Sequence, residues 1–226
     1  SPTLSLSNVT FADGGDYSVT VSNSVAQITS TNAHLTVRSP QLLHRWSFDN
    51  GLDSVGGANA TLVGGAGYAG GQLQVPGGAA RVNCAVVNLT ATLATNASLS
   101  LEGWFTLSAL QDWSKVWMFG RANGGAENGL AYVDFTPRAG ADGNVPGMSF
   151  NSGLSGTEQN TRGAANPAVL TTGAEYHVVC VYDADADQMR LYLNGVLADT
   201  GSLGGGNIPQ LNADEAYFGA PVNYGD

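Results

Sequence analysis

Residues 176–195 read YHVVCVYDADADQMRLYLNG, and this stretch decides the fold. Apolar side chains dominate both alternating sets of residues 176–182, so both faces of the predicted strand are apolar and we expect both to be covered. Residues 183–188 form a short polar connector, and Asn194-Gly195 ends the returning strand with the strongest short hairpin signal. The pattern predicts a meander of antiparallel strands.

A further strand is predicted at residues 98–107, which read SLSLEGWFTL. Its apolar side chains alternate onto one face: Leu99, Leu101, Phe105 and Leu107. Such alternation is typical of a strand that covers a core with one face. The chain also holds 31 glycines and only 12% charged residues, which suits a loop-rich all-β protein better than a helical enzyme. These features predict a two-sheet β-sandwich.

Five short motifs follow one another along the chain: WSFD at 46–49, LEGW at 101–104, HVV at 177–179, LYLNG at 191–195 and YFGA at 217–220. Their order resembles the concanavalin A-like lectin/glucanase jelly roll, in the laminin-G-like form common in large secreted bacterial proteins. The resemblance covers residues 42–226 and implies an all-β, antiparallel jelly-roll β-sandwich. It also implies an extracellular or cell-surface location.

The resemblance also implies a last strand that pairs beside the first one, at residues 45–48. The chain ends at Asp226 before such a strand. We therefore expect a fragment of a longer protein, in which the strand at residues 45–48 has an open edge that is prone to pairing with another chain.

Residues 1–38 resemble the C-terminal strands of an immunoglobulin-like β-sandwich. The spacing Asp-x-Gly-x-Tyr at residues 13–17 is similar to a tyrosine corner, in which the hydroxyl of Tyr17 would bond back to the backbone. Val19 stands where many such domains place their second cysteine. The predicted organisation is a partial immunoglobulin-like unit at 1–38, a linker at 39–41 and a jelly roll at 42–226.

The charge balance excludes two classes of partner. The net charge is −10 with a single lysine, Lys115, so phosphate backbones and anionic membrane surfaces are poor partners. No stretch of about 18 apolar residues is present that could span a bilayer. Nucleic-acid binding and membrane insertion are therefore not expected, and the sequence leaves the oligomeric state open.

The two cysteines, Cys84 and Cys180, both stand in apolar strand contexts. We expect two buried free thiols, the alternative being a disulfide, which needs close Cα atoms.

Catalysis is not expected from this sequence. Glycosidases need two carboxylates about 5–5.5 Å or more apart, and no strand carries two acidic residues at a spacing that would place them so. Glu102 and Asp134 each lack an acidic partner at strand spacing, which favours solvated or hydrogen-bonded strand residues.

Calcium is the one cofactor that the sequence suggests. Residues 49–57 place two carboxylates and several backbone carbonyls in one short loop, and oxygen atoms are the ligands of a hard cation. Related domains often hold calcium near this loop, which implies Asp53 first and Asp49 second as ligands. The alternative is that both side chains only shape the loop through Asx-type turns.

A second acidic run, at residues 183–187, is superficially similar to a calcium-binding loop. Its sixth position is Gln188 instead of glycine and its twelfth is Asn194. These departures favour a polar hairpin connector over a metal site.

Trp113 is the aromatic residue that we expect to be exposed, because it lies at a predicted strand entrance. It stands four residues before Trp117, so the two indoles would share a strand face, whereas most of the four tryptophans are expected in the core. An exposed Trp113 could stack on a sugar ring, with Asn123, Asn128 or Asp134 supplying hydrogen bonds.

Two functions from different classes follow. The first is a non-catalytic carbohydrate-binding module of a large secreted or cell-surface protein. The second is a structural or adhesive spacer that contacts proteins at the cell surface. An exposed aromatic residue on a sheet face would favour the first, and an apolar patch at the open edge would favour the second.

Overall fold

The computed structural model describes residues 3–37, 40–78, 81–121, 131–153, 158–162 and 169–222. The chain forms two compact units, Ser1–Leu42 and Leu43–Asp226. No helix of the described residues is long and apolar enough to cross a membrane.

The first unit contains short strands joined in pairs: β1 (Gly15–Tyr17) with β4 (Ala33–Leu35), and β2 (Thr20–Ser22) with β3 (Gln27–Thr29). The hydroxyl of Tyr17 donates a hydrogen bond to the carbonyl oxygen of Asp13 at 2.6 Å, which is the backbone contact predicted for this residue. Most side chains of this unit are exposed. Its assignment to the immunoglobulin-like class stays a prediction.

The second unit contains one α-helix among its described residues, α1 (Thr90–Thr95). Its strands are β5 (Thr61–Val63), β6 (Gly67–Ala69), β7 (Gln72–Gln74), β8 (Cys84–Val86), β9 (Leu99–Thr106), β10 (Trp117–Arg121), β11 (Ala131–Ala139), β12 (Val145–Ser152), β13 (Gln159–Arg162), β14 (Glu175–Asp183), β15 (Gln188–Leu193), β16 (Val196–Gly201) and β17 (Glu215–Phe218). Short 3-10 turns lie at Phe11–Asp13, Gly140–Asp142 and Ile208–Leu211.

Two antiparallel sheets build the sandwich. The larger has seven strands in the order β13-β12-β11-β10-β17-β8-β5, and the smaller has four in the order β16-β15-β14-β9. Strands β6 and β7 form a separate hairpin. This is the antiparallel jelly-roll β-sandwich that the sequence predicted.

The core lies between the facing surfaces of the two sheets. Phe119, Phe135 and Phe150 from the larger sheet join Val178 and Leu191 from the smaller one in a single apolar cluster. Burial of such side chains is the main favourable term for a sandwich of this kind. The inner face of each sheet is therefore occupied by the core, and only the outer faces and the loops can contact a ligand.

One buried hydroxyl group ties the two sheets together. Tyr182 on β14 places its oxygen 3.0 Å from the carbonyl oxygen of Asp134 and 3.2 Å from that of Ser149. A buried phenol needs such a partner, because an unsatisfied hydroxyl in an apolar core is costly. Burial raises the pKa of Tyr182 well above its ordinary value.

The predicted meander is confirmed. Strand β14 pairs on one side with β15 through the connector at residues 184–187, and on the other side with β9. Asn194 and Gly195 join β15 to β16 with φ of 50° and 78°, the left-handed pair that a tight hairpin turn requires. Residues 183–187 act as the hairpin connector that the sequence favoured.

Two sequence predictions about strands are wrong. Residues 45–48 make one isolated bridge, between Trp46 and Asp53, where a strand was expected; Phe48 adopts φ of 57°, which turns the chain out of the extended region. The outer face of β14 is not fully covered, because His177, Val179 and Val181 stay partly exposed. The alternation of side chains along a strand shows whether each face is apolar. Whether that face is covered depends on which other elements pack against it.

Both cysteines are buried and free, as the sequence predicted. Cys180 belongs to the main core cluster, and burial raises the pKa of its thiol well above the ordinary value. Cys84 lies on β8, where burial likewise raises the pKa. Both residues act as small apolar side chains.

Candidate functional site

Trp113 lies in the turn that leads into β10 and keeps 39% of its surface exposed. Its φ is 63°, a left-handed conformation that is a genuine outlier for a bulky residue, and its N–H donates to the carbonyl oxygen of Arg138 at 2.8 Å. Strained positions of this kind persist only where the surroundings hold them, and they cluster at functional sites. The exposed surface of the indole confirms the exposure that the sequence predicted for Trp113.

Trp117 does not share a strand with Trp113. Strand β10 begins at Trp117, which is buried in the main core. The turn at Trp113 lies outside the strand, so the period of two that was expected to align the two indoles does not apply. Because Trp113 lies in the turn before the strand, it is exposed at the surface, whereas Trp117 packs in the core.

Asp134 lies on the outer face of β11, the face directed away from the main core between the sheets, where Met118 and Tyr132 form a second buried cluster. Its neighbours along the strand, Val133 and Phe135, point into the core, and its cross-strand partners are Met118 and Ser149. One carboxylate oxygen, Oδ2, forms an ion pair with the ammonium group of Lys115. Both side chains are buried, with 7% exposure left on Lys115 and 1% on Asp134.

The second carboxylate oxygen of Asp134, Oδ1, is buried without any hydrogen-bond partner among the described residues. Leaving a charged acceptor buried and unpaired is expensive, so such atoms in native proteins require an explanation. This oxygen is enclosed by the protein, so Asp134 is connected to the exposed Trp113 ring only through its ion pair with Lys115.

Two cations lie within cation–π range of the Trp113 ring. The ammonium nitrogen of Lys115 is 6.0 Å from the ring centroid, and the guanidinium carbon of Arg162 is 5.7 Å from it. Arg162 belongs to β13 and donates from Nε to Asp142 at 2.7 Å. We call Trp113, Lys115, Asp134 and Arg162 the Trp113 cluster.

Two glycines make room for the charged side chains around the ring. A Cβ at Gly147 would lie 2.8 Å from Cδ of Arg162, so this glycine allows the arginine to lie across β12. A Cβ at Gly140 would overlap the carboxylate of Asp112, which forms an ion pair with Arg138. The surroundings of the Trp113 cluster are thus built from close approaches that only glycine permits.

The structure brings together two of the four predicted ligand-binding residues. Trp113 and Asp134 meet through Lys115, whereas Asn123 and Asn128 lie outside the described residues. Sequence reasoning missed Lys115 and Arg162 as members of the site. Neither residue had a local signal, because Lys115 meets Asp134 19 residues further along the chain and Arg162 reaches the ring from β13.

Asp53, the first predicted calcium ligand, is a fully buried carboxylate. It accepts hydrogen bonds from His44 Nδ1 at 2.6 Å and from the backbone N–H groups of Arg45, Val55, Gly56 and Ala58 at 2.9–3.1 Å. Burial by itself raises the pKa of Asp53, but these hydrogen bonds outweigh burial and hold the pKa well below its ordinary value.

This donor set does not fit a calcium ion at Asp53. Five N–H groups already point at the two oxygens, and N–H donors repel a cation that needs oxygen ligands. Asp49, the second predicted ligand, is exposed, and the described residues contain no group of three or more acidic, histidine or cysteine side chains that could hold a metal. Asp53 shapes the loop, which is the alternative that the sequence left open, and calcium binding itself stays a prediction.

The jelly-roll sandwich defines a class of β-proteins, and comparison with known families narrows it. Residues 77–226 match the concanavalin A-like lectin/glucanases superfamily. The chain therefore belongs to that superfamily. No curated protein sequence shows significant similarity to it.

Two solved structures illustrate the fold. Domain 4 of AbnA, an extracellular arabinanase from Geobacillus stearothermophilus determined in complex with arabinotriose, superposes with a TM-score of 0.61 at 20% identity, covering 82% of this chain and 85% of that one. The CBM40 domain of the Ruminococcus gnavus IT-sialidase gives 0.48 at 15% identity, covering 62% and 76%. At 20% identity the first comparison supports the jelly-roll fold alone.

Proposed function

We propose that this chain is a non-catalytic glycan-binding module and that the Trp113 cluster contacts the sugar. The observation that carries the proposal is the exposed Trp113 ring, held in a left-handed turn within cation–π range of Lys115 and Arg162. An aromatic face with a few convergent polar groups is the usual composition of a small-molecule site.

Each member of the cluster has a distinct task. The indole of Trp113 offers an apolar, electron-rich face to the C–H groups of a sugar ring. Asp134 is buried and anchors Lys115 through their ion pair, which fixes the ammonium group near the ring. Lys115 and Arg162 hold the ring through cation–π contacts, which orients it before the ligand arrives.

The surrounding carboxylates favour binding over hydrolysis. Asp134 is paired with Lys115, Asp112 with Arg138 and Asp142 with Arg162. Glycoside hydrolysis needs two carboxylates free to act on opposite sides of the scissile bond. Around Trp113, the described residues offer no such unpaired set.

An extracellular or cell-surface location agrees with this function. The first of the structural relatives is a domain of an extracellular arabinanase and was determined with arabinotriose. The net charge of −10 makes nucleic acids and anionic membranes poor partners. The partner that we propose is therefore a neutral polysaccharide or glycan outside the cell.

Calorimetric titration of the full chain tests the proposal. The probes are a panel of soluble oligosaccharides of arabinose, xylose, glucose and galactose, with arabinotriose first. We expect saturable binding of at least one probe, at least about tenfold weaker in the Trp113→Ala variant. Leu110→Ala is the matched control, because it truncates an exposed apolar side chain of the same segment.

The proposal fails if no probe binds, or if Trp113→Ala and Leu110→Ala bind as the wild type does. The adhesive-spacer function would then be the better account. Thermal melts of both variants check that any loss of binding does not come from unfolding.

A further inference from the structure

A second exposed tryptophan lies on the smaller sheet, far from the Trp113 cluster. Trp104 on β9 keeps 64% of its surface exposed, more than Trp113 does. Its neighbour Phe105 packs against the core, so Trp104 points from the outer face of the four-stranded sheet. An indole exposed to this extent on a regular strand has no packing role that explains it.

The ring of Trp104 is held in place by the adjacent strand. His177, its cross-strand partner on β14, stacks on it with ring centroids 4.6 Å apart and an interplanar angle of 27°. The imidazole is itself fixed, because Nε2 lies 2.8 Å from Oε1 of Glu102. Glu102 is thus the hydrogen-bonded strand residue that the sequence favoured. The platform is organised before any ligand arrives, which lowers the entropic cost of binding.

One face of the indole remains available. His177 occupies the side toward β14, whereas β9 is an edge strand of the sheet as described, so no strand flanks Trp104 on the other side. Glu102 keeps 56% of its side chain exposed and uses one carboxylate oxygen for His177. Its other oxygen can accept a hydroxyl group next to the ring.

A second aromatic residue shares this surface. Tyr192 on β15 pairs with Val179, and Val179 pairs with Glu102, so all three side chains lie on the same outer face. Two strand spacings separate β9 from β15, which places the two aromatic positions on the order of 10 Å apart across the sheet. That separation suits an extended chain of sugar units more than a single compact ligand.

We propose that Trp104, with Glu102 and Tyr192, forms a second saccharide-binding site on the outer face of the four-stranded sheet. The choice of a saccharide as ligand rests on the proposed function, but the site is built from different residues. The two sites lie on opposite outer faces of the sandwich. One module could therefore engage two polysaccharide chains, and its avidity for an insoluble polysaccharide would exceed the affinity of either site.

The test uses the full chain and the same panel of oligosaccharides. We expect two binding events per chain in the wild type, one in Trp104→Ala, one in Trp113→Ala and none in the double variant. Glu102→Gln keeps the shape of the side chain and should weaken the Trp104 event several-fold without changing the Trp113 event. Trp104 is exposed, so its removal should leave the melting temperature nearly unchanged.

The outcomes separate the two proposals. Binding that is lost in Trp104→Ala but kept in Trp113→Ala supports the second site and contradicts the first. Binding that Trp113→Ala abolishes completely, with Trp104→Ala equal to the wild type, overturns the second site and keeps the first. Self-association of the wild type that Trp104→Ala abolishes would also overturn it, because the patch would then be a contact between copies of the chain.

Discussion

Two buried aspartates of this chain differ in one respect, and the difference separates structure from function. Asp53 has five N–H donors around its two oxygens. Asp134 has one cation on Oδ2 and nothing on Oδ1 among the described residues. Folding completes the first carboxylate and leaves the second incomplete.

The burial of Asp53 has a structural reason. Its carboxylate accepts hydrogen bonds from the backbone of the loop in which it lies, and so it holds that loop together. An incomplete buried carboxylate is a standing cost to stability, and natural proteins keep such costs mainly at functional sites. The same reasoning applies to the exposed side chains nearby. Trp113 is linked to the incomplete aspartate through Lys115 and has a strained left-handed backbone, whereas the Asp53 loop carries no exposed aromatic ring.

Removal of Asp53 should produce the largest change in stability. In Asp53→Ala the four backbone N–H groups and His44 lose a buried charged acceptor, so we expect a loss of about 3–5 kcal/mol. Chemical denaturation followed by circular dichroism measures it. The exposed Asp49→Ala is the control and should change stability by less than about 0.5 kcal/mol. Equal losses in the two variants would remove Asp53 from its structural role.

Acid should erase part of the same stabilisation. The pKa of Asp53 is lower in the folded state than its ordinary value of about 3.9, so its contribution is complete above that value and is lost as the pH falls through and below it. Denaturation curves between pH 7 and pH 3 should show a steeper loss of stability in the wild type than in Asp53→Ala. Parallel curves would mean that Asp53 titrates alike in both states.

The Asp134–Lys115 pair should be dispensable for folding when both members are replaced. Lys115→Met combined with Asp134→Leu substitutes apolar side chains for a buried ion pair, and such replacements are often neutral or stabilising. We expect a change in the free energy of unfolding within about 1 kcal/mol, together with loss of the binding event at the Trp113 cluster. Asp134→Ala alone is the contrast, since it leaves Lys115 buried and unpaired and should be clearly destabilising. A large loss in the double variant would give Asp134 a structural role like that of Asp53.

Calcium should have the smallest effect. Because N–H donors fill the surroundings of Asp53, we expect calcium or a chelator to shift the melting temperature by less than about 1 °C. A rise with calcium that Asp49→Ala abolishes would instead support the loop as a metal site. Differential scanning calorimetry of the full chain at fixed ionic strength makes the comparison.

The parts of the fold that could be predicted from sequence rest on local signals. The β14–β15–β16 meander follows from alternation and from the Asn194-Gly195 turn, both of which act within a few residues. Tyr17 likewise makes the backbone hydrogen bond that was predicted for its hydroxyl, to the carbonyl oxygen of Asp13 four residues away. Patterns that act within a few residues can be interpreted without knowing the rest of the fold.

The candidate site could be predicted only in part, because its residues are distant in the sequence and are brought together by the pairing of the strands. Trp113 and Asp134 were expected, but Arg162 reaches the ring from β13, and Lys115, which precedes β10, pairs with Asp134 on β11. Exposure of Trp104 was missed for a related reason. Its strand is apolar on the core side, and nothing local indicates whether another element covers the opposite side.

The most direct test of the central claim follows the four indole N–H signals by heteronuclear NMR during titration with the best-binding oligosaccharide. Substitution assigns each signal to its tryptophan. The account predicts that the Trp113 signal moves saturably while that of the core residue Trp117 stays in place. A saturating titration in which the Trp113 signal does not move would contradict it.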